Sequence, residues 1–295
     1  MTGAEFINSI LSGLITAGLY IIIGLAIVVT FRATRVLNMA AGQYLVLGSY
    51  LFYTLEVEAR IPIVAALAVS LLLMALLGAL THWLLMRPVV GQPLFVPAII
   101  TLGISIVLTS VVDIIWGSQN RSLTSPIADS VYHLPVFRSG TISTYQIATV
   151  IVAALMAGGF MIFQSRTRSG VQMRAAAEDP VLAGLSGIRV NTIYVLGWAL
   201  GCIAATVAGL AFAYSSLLTP DAGSLGFTAL APVVLAGFDS IGGLVAGSIL
   251  VGIIESFALL WLGGNAQDAA AFVVLLVIVL IRPAGLLRNA PGLKI

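Results

Sequence analysis

The chain has 295 residues, of which 60% are apolar and 8% charged, with a mean hydropathy of +1.13 and a net charge of +2. No water-soluble domain keeps so much apolar surface from solvent, and so small a net charge argues against nucleic acid as a partner. The chain reads as an all-α polytopic membrane protein, a single transmembrane domain over 1–295, whose polar stretches are too short to hold an aqueous domain.

A crossing helix needs roughly twenty mostly apolar residues to span about 30 Å of hydrocarbon. MTGAEF carries no Lys or Arg, so the first apolar run, Ile7 to Phe31, is expected to be a retained span. Arg32 and Arg35 end it. Val36 to Tyr53 is a short second candidate carrying Asn38, Gly42, Gln43, Gly48 and Ser49. Beyond Glu56, Glu58 and Arg60 come Ile63 to Met86, closed by Arg87 and Pro88, and then Phe95 to Trp116. The polar stretch Gly117 to Thr144 reads as an extramembrane connector, and its alternation suggests a short hairpin turning near Ser139 and Gly140. Tyr145 to Phe163 and Thr192 to Leu217 are the fifth and sixth spans.

Leu225 to Phe238 is too short to cross comfortably, and it runs into GFDSIGG, where small residues and Asp239 break any simple helix. Such backbone is tolerated at membrane depth only where protein or a water-filled cavity shields it. Leu244 to Leu262 is a full span and Ala269 to Ile281 a shorter one. The total is about eight or nine elements, depending on whether 225–238 crosses as a broken helix. The single cysteine, Cys202, rules out an internal disulfide.

The one dense cluster of charge is the loop 164–191, QSRTRSGVQMRAAAEDPVLAGLSGIRVN. If it is cytoplasmic, counting spans puts Arg32, Arg35, Arg87, Arg166, Arg168, Arg174, Arg189, Arg282, Arg288 and Lys294 inside, and only Arg60, Arg121 and Arg138 outside. That asymmetry places the N-terminus outside and the C-terminus inside. Within the loop, Ser169 with Gln172 forms a capping-box pattern that starts a helix at Gly170. Asp179 and Pro180 suit the start of a second helix, and Gly187 a left-handed end. Two short helices with little bulk at Ala175, Ala176 and Ala177 make a compact knob able to seat in a partner's groove. A basic anchor on anionic membrane lipid is the alternative.

RAAAEDPVLAGLSGI resembles the cytoplasmic coupling loop of permease subunits of bacterial ABC importers, in particular the branched-chain amino acid type with its urea and amide relatives. LNMAAGQYLVLGSY, LAPVVLAGFDSIGGLVAGSILVGIIES and LIRPAGLL are similar to three further segments of that family, in the same order. The resemblance implies a permease subunit in the bacterial inner membrane that pairs with a second, related permease and two cytoplasmic ATPases and is fed by a periplasmic binding protein. It puts the ATPase-coupling role on Arg174, Ala176, Glu178, Asp179, Pro180 and Gly187. The chain departs from the family at Met39, Ala41 and Gln43, where relatives usually carry an aromatic residue, His and Glu, so two ionisable groups are missing from a pathway segment.

A chain whose only lysine is Lys294 holds no P-loop. ATP is therefore expected on the partners, with no cofactor and no catalysis on this subunit. His82 and His133 lie far apart without a His-Glu-X-X-His motif, so neither serves a metal site. Asn38, Gly42, Gln43, Asp239 and Ser240 sit among small residues and are candidates to line a translocation pathway, together with Glu255. An intramembrane carboxylate is also what an ion-coupled secondary transporter would need, and Glu255 keeps that rival open. Asp113 is expected near the interface. Gly201, Ala205 and Gly209, like Gly243 and Gly247, recur at spacing four and read as helix-packing stripes.

Overall fold

The computed structural model describes residues 3–89, 91–93, 95–123, 131–133 and 141–281. Among these, six helices are long and apolar enough to cross a membrane. The first, α1 (Gly3–Thr34), is the axis of the fold and the most buried of the six. It packs on α8 (Val190–Ser215), α11 (Ile241–Leu262) and α5 (Thr144–Arg166). Glycine brings the backbones together. A Cβ on Gly13 would fall 2.7 Å from the Ile253 Cα, and a Cβ on Gly201 would strike the Thr30 hydroxyl. The stripe Gly201, Gly209 is thus a packing seam, with Gly201 against α1 and Gly209 against Leu45 and Ser49 of the next helix.

That next helix, α2 (Ala41–Tyr53), is shorter than its apolar run implied. Val36 to Ala40 are not helical, because Arg35 turns the chain at φ 57° and Asn38 folds its own Oδ1 back onto the Ala40 N–H at 3.0 Å. The irregular link is tied to α4 (Phe95–Trp116) by Thr101, whose hydroxyl accepts from the Met39 N–H at 3.1 Å and lies 3.2 Å from the Leu37 carbonyl. Every residue of α2 except Leu51 is buried. A π-helical turn, Thr54–Glu58, continues it.

α3 (Ile63–Thr81), with its π-turn His82–Met86, and α4 present wide apolar faces to the outside, including Val64, Leu72, Leu76, Ile106 and Ile114. Such faces are stable against lipid and not against water. The expected hairpin is present as β1 (Val131–His133) paired antiparallel with β2 (Thr141–Ser143); its turn, with Ser139 and Gly140, lies outside the described residues. Ser143 and Gln146 then form a capping box that starts α5.

After α8 the chain makes a two-way bridge between Leu218 and Arg121, just past the C-terminal end of α4. It then dips through a 3-10 turn (Pro220–Ser224), α9 (Leu225–Thr228) and α10 (Leu230–Ala236) to reach Asp239 beside Arg35, at the C-terminal end of α1. α1 and α8 run antiparallel, with Gly197 against Ala33, so 220–236 carries the chain from one end of the bundle back to the other as a broken helix. Gly237, at φ 85°, stops α10. α11 and α12 (Asn265–Ile281) complete the order. Arg282, Arg288, Lys294 and most of the LIRPAGLL motif lie outside the described residues.

Candidate functional site

The charged loop folds into two capped helices, α6 (Arg168–Glu178) and α7 (Pro180–Leu185). The cap of the first differs from the sequence expectation. Thr167, not Ser169, accepts the Gly170 N–H at 3.0 Å, so the helix begins at Arg168 and not at Gly170. Thr167 is extended at φ −100°, the backbone state that a cap requires, whereas Ser169 is already helical. The second start is as read. Asp179 Oδ1 accepts from the N–H groups of Val181 and Leu182, both at 2.9 Å, with Pro180 at the first helical position. Gly187 follows at φ 84°, and the Ile188 N–H returns to the Ala183 carbonyl.

One side of this knob is glued to the membrane bundle. Met173, Ala176 and Ala183 are buried against Ala33 of α1 and against Ile193 and Tyr194 of α8. Burying Met173 alone contributes about 1.5–3 kcal/mol. Ala176 lies on the buried side of the knob, where its small side chain packs with Ala33 of α1. Arg174, Glu178, Asp179, Pro180 and Gly187 are on the exposed side. Exposed with them are apolar residues that charge-led reading passed over: Val181, Leu182 and Leu185, which are 72%, 62% and 82% exposed, and the half-exposed Val171. The signal for them was the spacing 181, 182, 185, one helical face, inside a stretch too polar to be a span.

The pathway candidates do not form one cluster. Gly42 and Gln43 sit at the start of α2, where its N-terminal turn meets the broken segment. A Cβ on Gly226 would fall 2.6 Å from the Gly42 nitrogen, a Cβ on Gly42 would overlap the Gly223 carbonyl, and Gln43 covers Gly223. Gln43 is buried and its Oε1 has no hydrogen-bond partner. Asn38 is spent on its local turn. Asp239 and Ser240 lie elsewhere, at the C-terminal end of α1. Asp239 pairs with Arg35 at 2.7 Å, and Ser240 caps α11 through the Gly243 N–H at 2.9 Å. Glu255 is fully buried in α11 and takes the Tyr20 hydroxyl at 2.9 and 2.8 Å to its two oxygens. Tyr20 also lines a partly polar cavity of about 190 Å³ with Thr16, Thr149, Ser215 and Gln267. His82 is buried, 3.1 Å from Asn191 Oδ1 and edge-on to Tyr194, a packed residue at the foot of the knob. Asp113 is exposed near the end of α4.

A family model described as the permease component of a branched-chain amino acid transport system matches residues 9–282, which include the interrupted helices and the knob. The chain belongs to that family. Similar proteins include the high-affinity branched-chain amino acid transport system permease protein BraD of Pseudomonas aeruginosa, 28% identical over 297 residues and 96% of each chain. The corresponding permease protein LivH of Escherichia coli K12 is 27% identical over 96% of this chain and 95% of its own. A probable LivH of Methanocaldococcus jannaschii is 26% identical over 92% and 90%. The permease is thus a multi-pass membrane protein and a transport subunit, and membership implies a role in an ABC importer, with ATPase and binding-protein partners in general. Of the four segments that carried the resemblance, the knob, the start of α2 and the turn before α11 are all interruptions in helices, where backbone geometry, not hydropathy, dictates the residues.

Proposed function

We propose that this permease subunit carries a small amino acid or related polar solute, of the branched-chain amino acid, urea or amide type, into the cytoplasm by alternating access. Partner ATPases drive it by docking on the α6–α7 knob. The observation that carries this reading is the two-sided construction of the knob: Met173, Ala176 and Ala183 lock it to α1 and α8, while Val181, Leu182 and Leu185 offer exposed apolar anchors on α7 and Arg174 and Glu178 are exposed on α6. A polybasic lipid anchor binds through its charge, whereas an exposed apolar cluster held rigidly between two caps suits the pocket of a protein partner. The excess of Arg on the knob side supports an inner-membrane topology with the knob in the cytoplasm, the N-terminus periplasmic and the C-terminus cytoplasmic. Nine elements then serve as crossings, three of them interrupted or short: α2, 220–236 and α12.

The assembly we infer contains a second, related permease, two ATPase subunits and a periplasmic binding protein, with all ATP on the ATPases and no cofactor on this chain. Gly42 and Gln43, at the meeting of two broken helices, are the pathway residues that the geometry favours; Asn38, Asp239, Ser240 and Glu255 serve the surrounding frame. The ion-coupled alternative asks Glu255 to exchange a cation, whereas the Tyr20 hydroxyl shared between its two carboxylate oxygens suits a tie between α1 and α11. Reconstitution decides between them. The chain alone in proteoliposomes should give neither ATP hydrolysis nor gradient-driven leucine uptake, and addition of the ATPases, second permease and binding protein should give ATP-dependent uptake. Uptake by the chain alone on a proton gradient would overturn the importer reading.

A further inference from the structure

Arg35 joins three parts of the molecule that sequence separates widely. Its backbone, at φ 57°, turns the chain out of α1. Its Nε–H donates to the Ala177 carbonyl in the last turn of α6 at 3.1 Å, and its Nη1 meets both carboxylate oxygens of Asp239 at 2.7 and 2.8 Å. The guanidinium also lies over the Phe31 ring at 5.7 Å, and that ring packs on Phe238 at 4.9 Å. Phe238 itself stands at φ 56° beside Gly237 at φ 85°, so the turn that Arg35 grips is the strained end of the broken segment 220–236.

The two ends of this link differ in kind. The knob is held to α1 by buried apolar contact, Met173 and Ala176 in one cluster with Ala33. The turn 237–240 is held to Arg35 by a half-exposed ion pair, with side chains 45% and 27% exposed. Exposed pairs add little to stability, but the planar guanidinium fork is directional and ties a carbonyl and a carboxylate in fixed geometry.

We propose that Arg35 is a positioning residue for transport, carrying displacement of the α6–α7 knob to the Gly237–Ser240 turn and so to the broken helix that ends there. This rests on the knob being the ATPase docking site. α6 offers its last-turn carbonyl, which a cation suits, and Asp239 offers the matching anion at the foot of α11. A push on the knob therefore reaches the segment that lies against Gly42 and Gln43 without passing through the bilayer-facing helices.

The test uses the full importer complex in proteoliposomes, with leucine as the transported probe, and measures uptake per ATP hydrolysed for Arg35→Gln, Asp239→Asn, Arg35→Lys and the double exchange Arg35→Asp with Asp239→Arg. Asp tolerates a positive φ better than most residues, so the exchange is conformationally fair. Both neutral variants should assemble and hydrolyse ATP at near wild-type rates while uptake per ATP falls by about fivefold or more, the usual scale of coupling between sites. The double exchange should recover part of the ratio, and Arg35→Lys, which keeps the charge but loses the fork, should fall between. Neutral variants that transport at the wild-type ratio overturn the proposal, as does a loss of uptake fully accounted for by a loss of assembled complex. A wild-type complex that fails to bind its ATPases overturns the docking reading and this proposal with it; wild-type coupling with unaffected variants overturns this proposal alone.

Discussion

Tyr20 in α1 and Glu255 in α11 meet at the buried centre of the helix pair, with the tyrosine hydroxyl 2.9 and 2.8 Å from the two carboxylate oxygens. Around them the two helices approach closely at Gly13 and Gly252, so the polar pair sits inside a glycine-lined seam. Removing the hydroxyl leaves buried oxygens short of a donor, which costs about 1–3 kcal/mol. Tyr20→Phe should lower the melting temperature of the detergent-solubilised permease, while Glu255→Gln, which keeps an acceptor for Tyr20, should melt closer to wild type and retain ATP-driven uptake. Loss of uptake in a well-folded Glu255→Gln variant would revive the ion-coupled reading.

The crest of the knob separates docking from folding. Leu185 is almost fully exposed, so Leu185→Asp should change stability by no more than about 0.5 kcal/mol and yet weaken co-purification of the ATPases. Ala176→Leu acts from the other side: overpacking against Ala33 costs about 1–3 kcal/mol and should loosen the knob from α1 before any partner is added. Protease susceptibility of the loop in isolated permease distinguishes the two, being raised for Ala176→Leu and unchanged for Leu185→Asp.

Helix caps give a cleaner comparison, because two hydroxyls two residues apart make opposite claims. Thr167→Ala should cost about 1 kcal/mol through loss of the bond to the Gly170 N–H, and Ser169→Ala should be close to neutral. Asp179→Ala, which loses bonds to two amides, should cost at least as much as Thr167→Ala. Thermal melts of the three variants in detergent check the order. Equal loss from Thr167→Ala and Ser169→Ala would return the cap to Ser169.

What could be read from the residues tracks how local the cause is. α4 runs from Phe95 to Trp116 as expected, since a mostly apolar run of spanning length between polar stretches needs no tertiary information. Asp179, Pro180 and Gly187 were legible because capping is decided by neighbours within three residues. The unwound link at Val36 to Ala40 was not, because its cause is Arg35 held at positive φ by groups as far as 204 residues away, while Val36 and Leu37 look like helix interior to a hydropathy window. The burial of Ala176 was not legible for a related reason: alanine tolerates burial and exposure alike, so only the neighbouring Ala33 and Tyr194 show which way it faces. The pathway candidates were chosen as polar residues beside small ones, a pattern that a capping serine, an ion-paired aspartate and a buried glutamine share.

The contact between α2 and the broken segment supplies the sharpest test of the pathway. Gly226 has no room for a side chain, because its Cβ would sit 2.6 Å from the Gly42 nitrogen and 2.7 Å from the Gly42 Cα, both backbone atoms that cannot swing aside. Gly226→Ala must therefore push α9 away from the start of α2, costing about 1–3 kcal/mol if the segment yields as overpacked sites do, and it displaces the turn on which Gln43 rests. Gly158 in α5 is the control, since a Cβ there meets nothing within 4 Å. Gly158→Ala should be neutral or stabilise by up to about 1 kcal/mol through helix propensity. Leucine uptake by the assembled importer should fall for Gly226→Ala beyond its loss of folded complex and stay at wild type for Gly158→Ala. If Gly226→Ala complexes that fold normally also transport normally, the meeting point of the two broken helices is a packing joint, and the solute passes elsewhere.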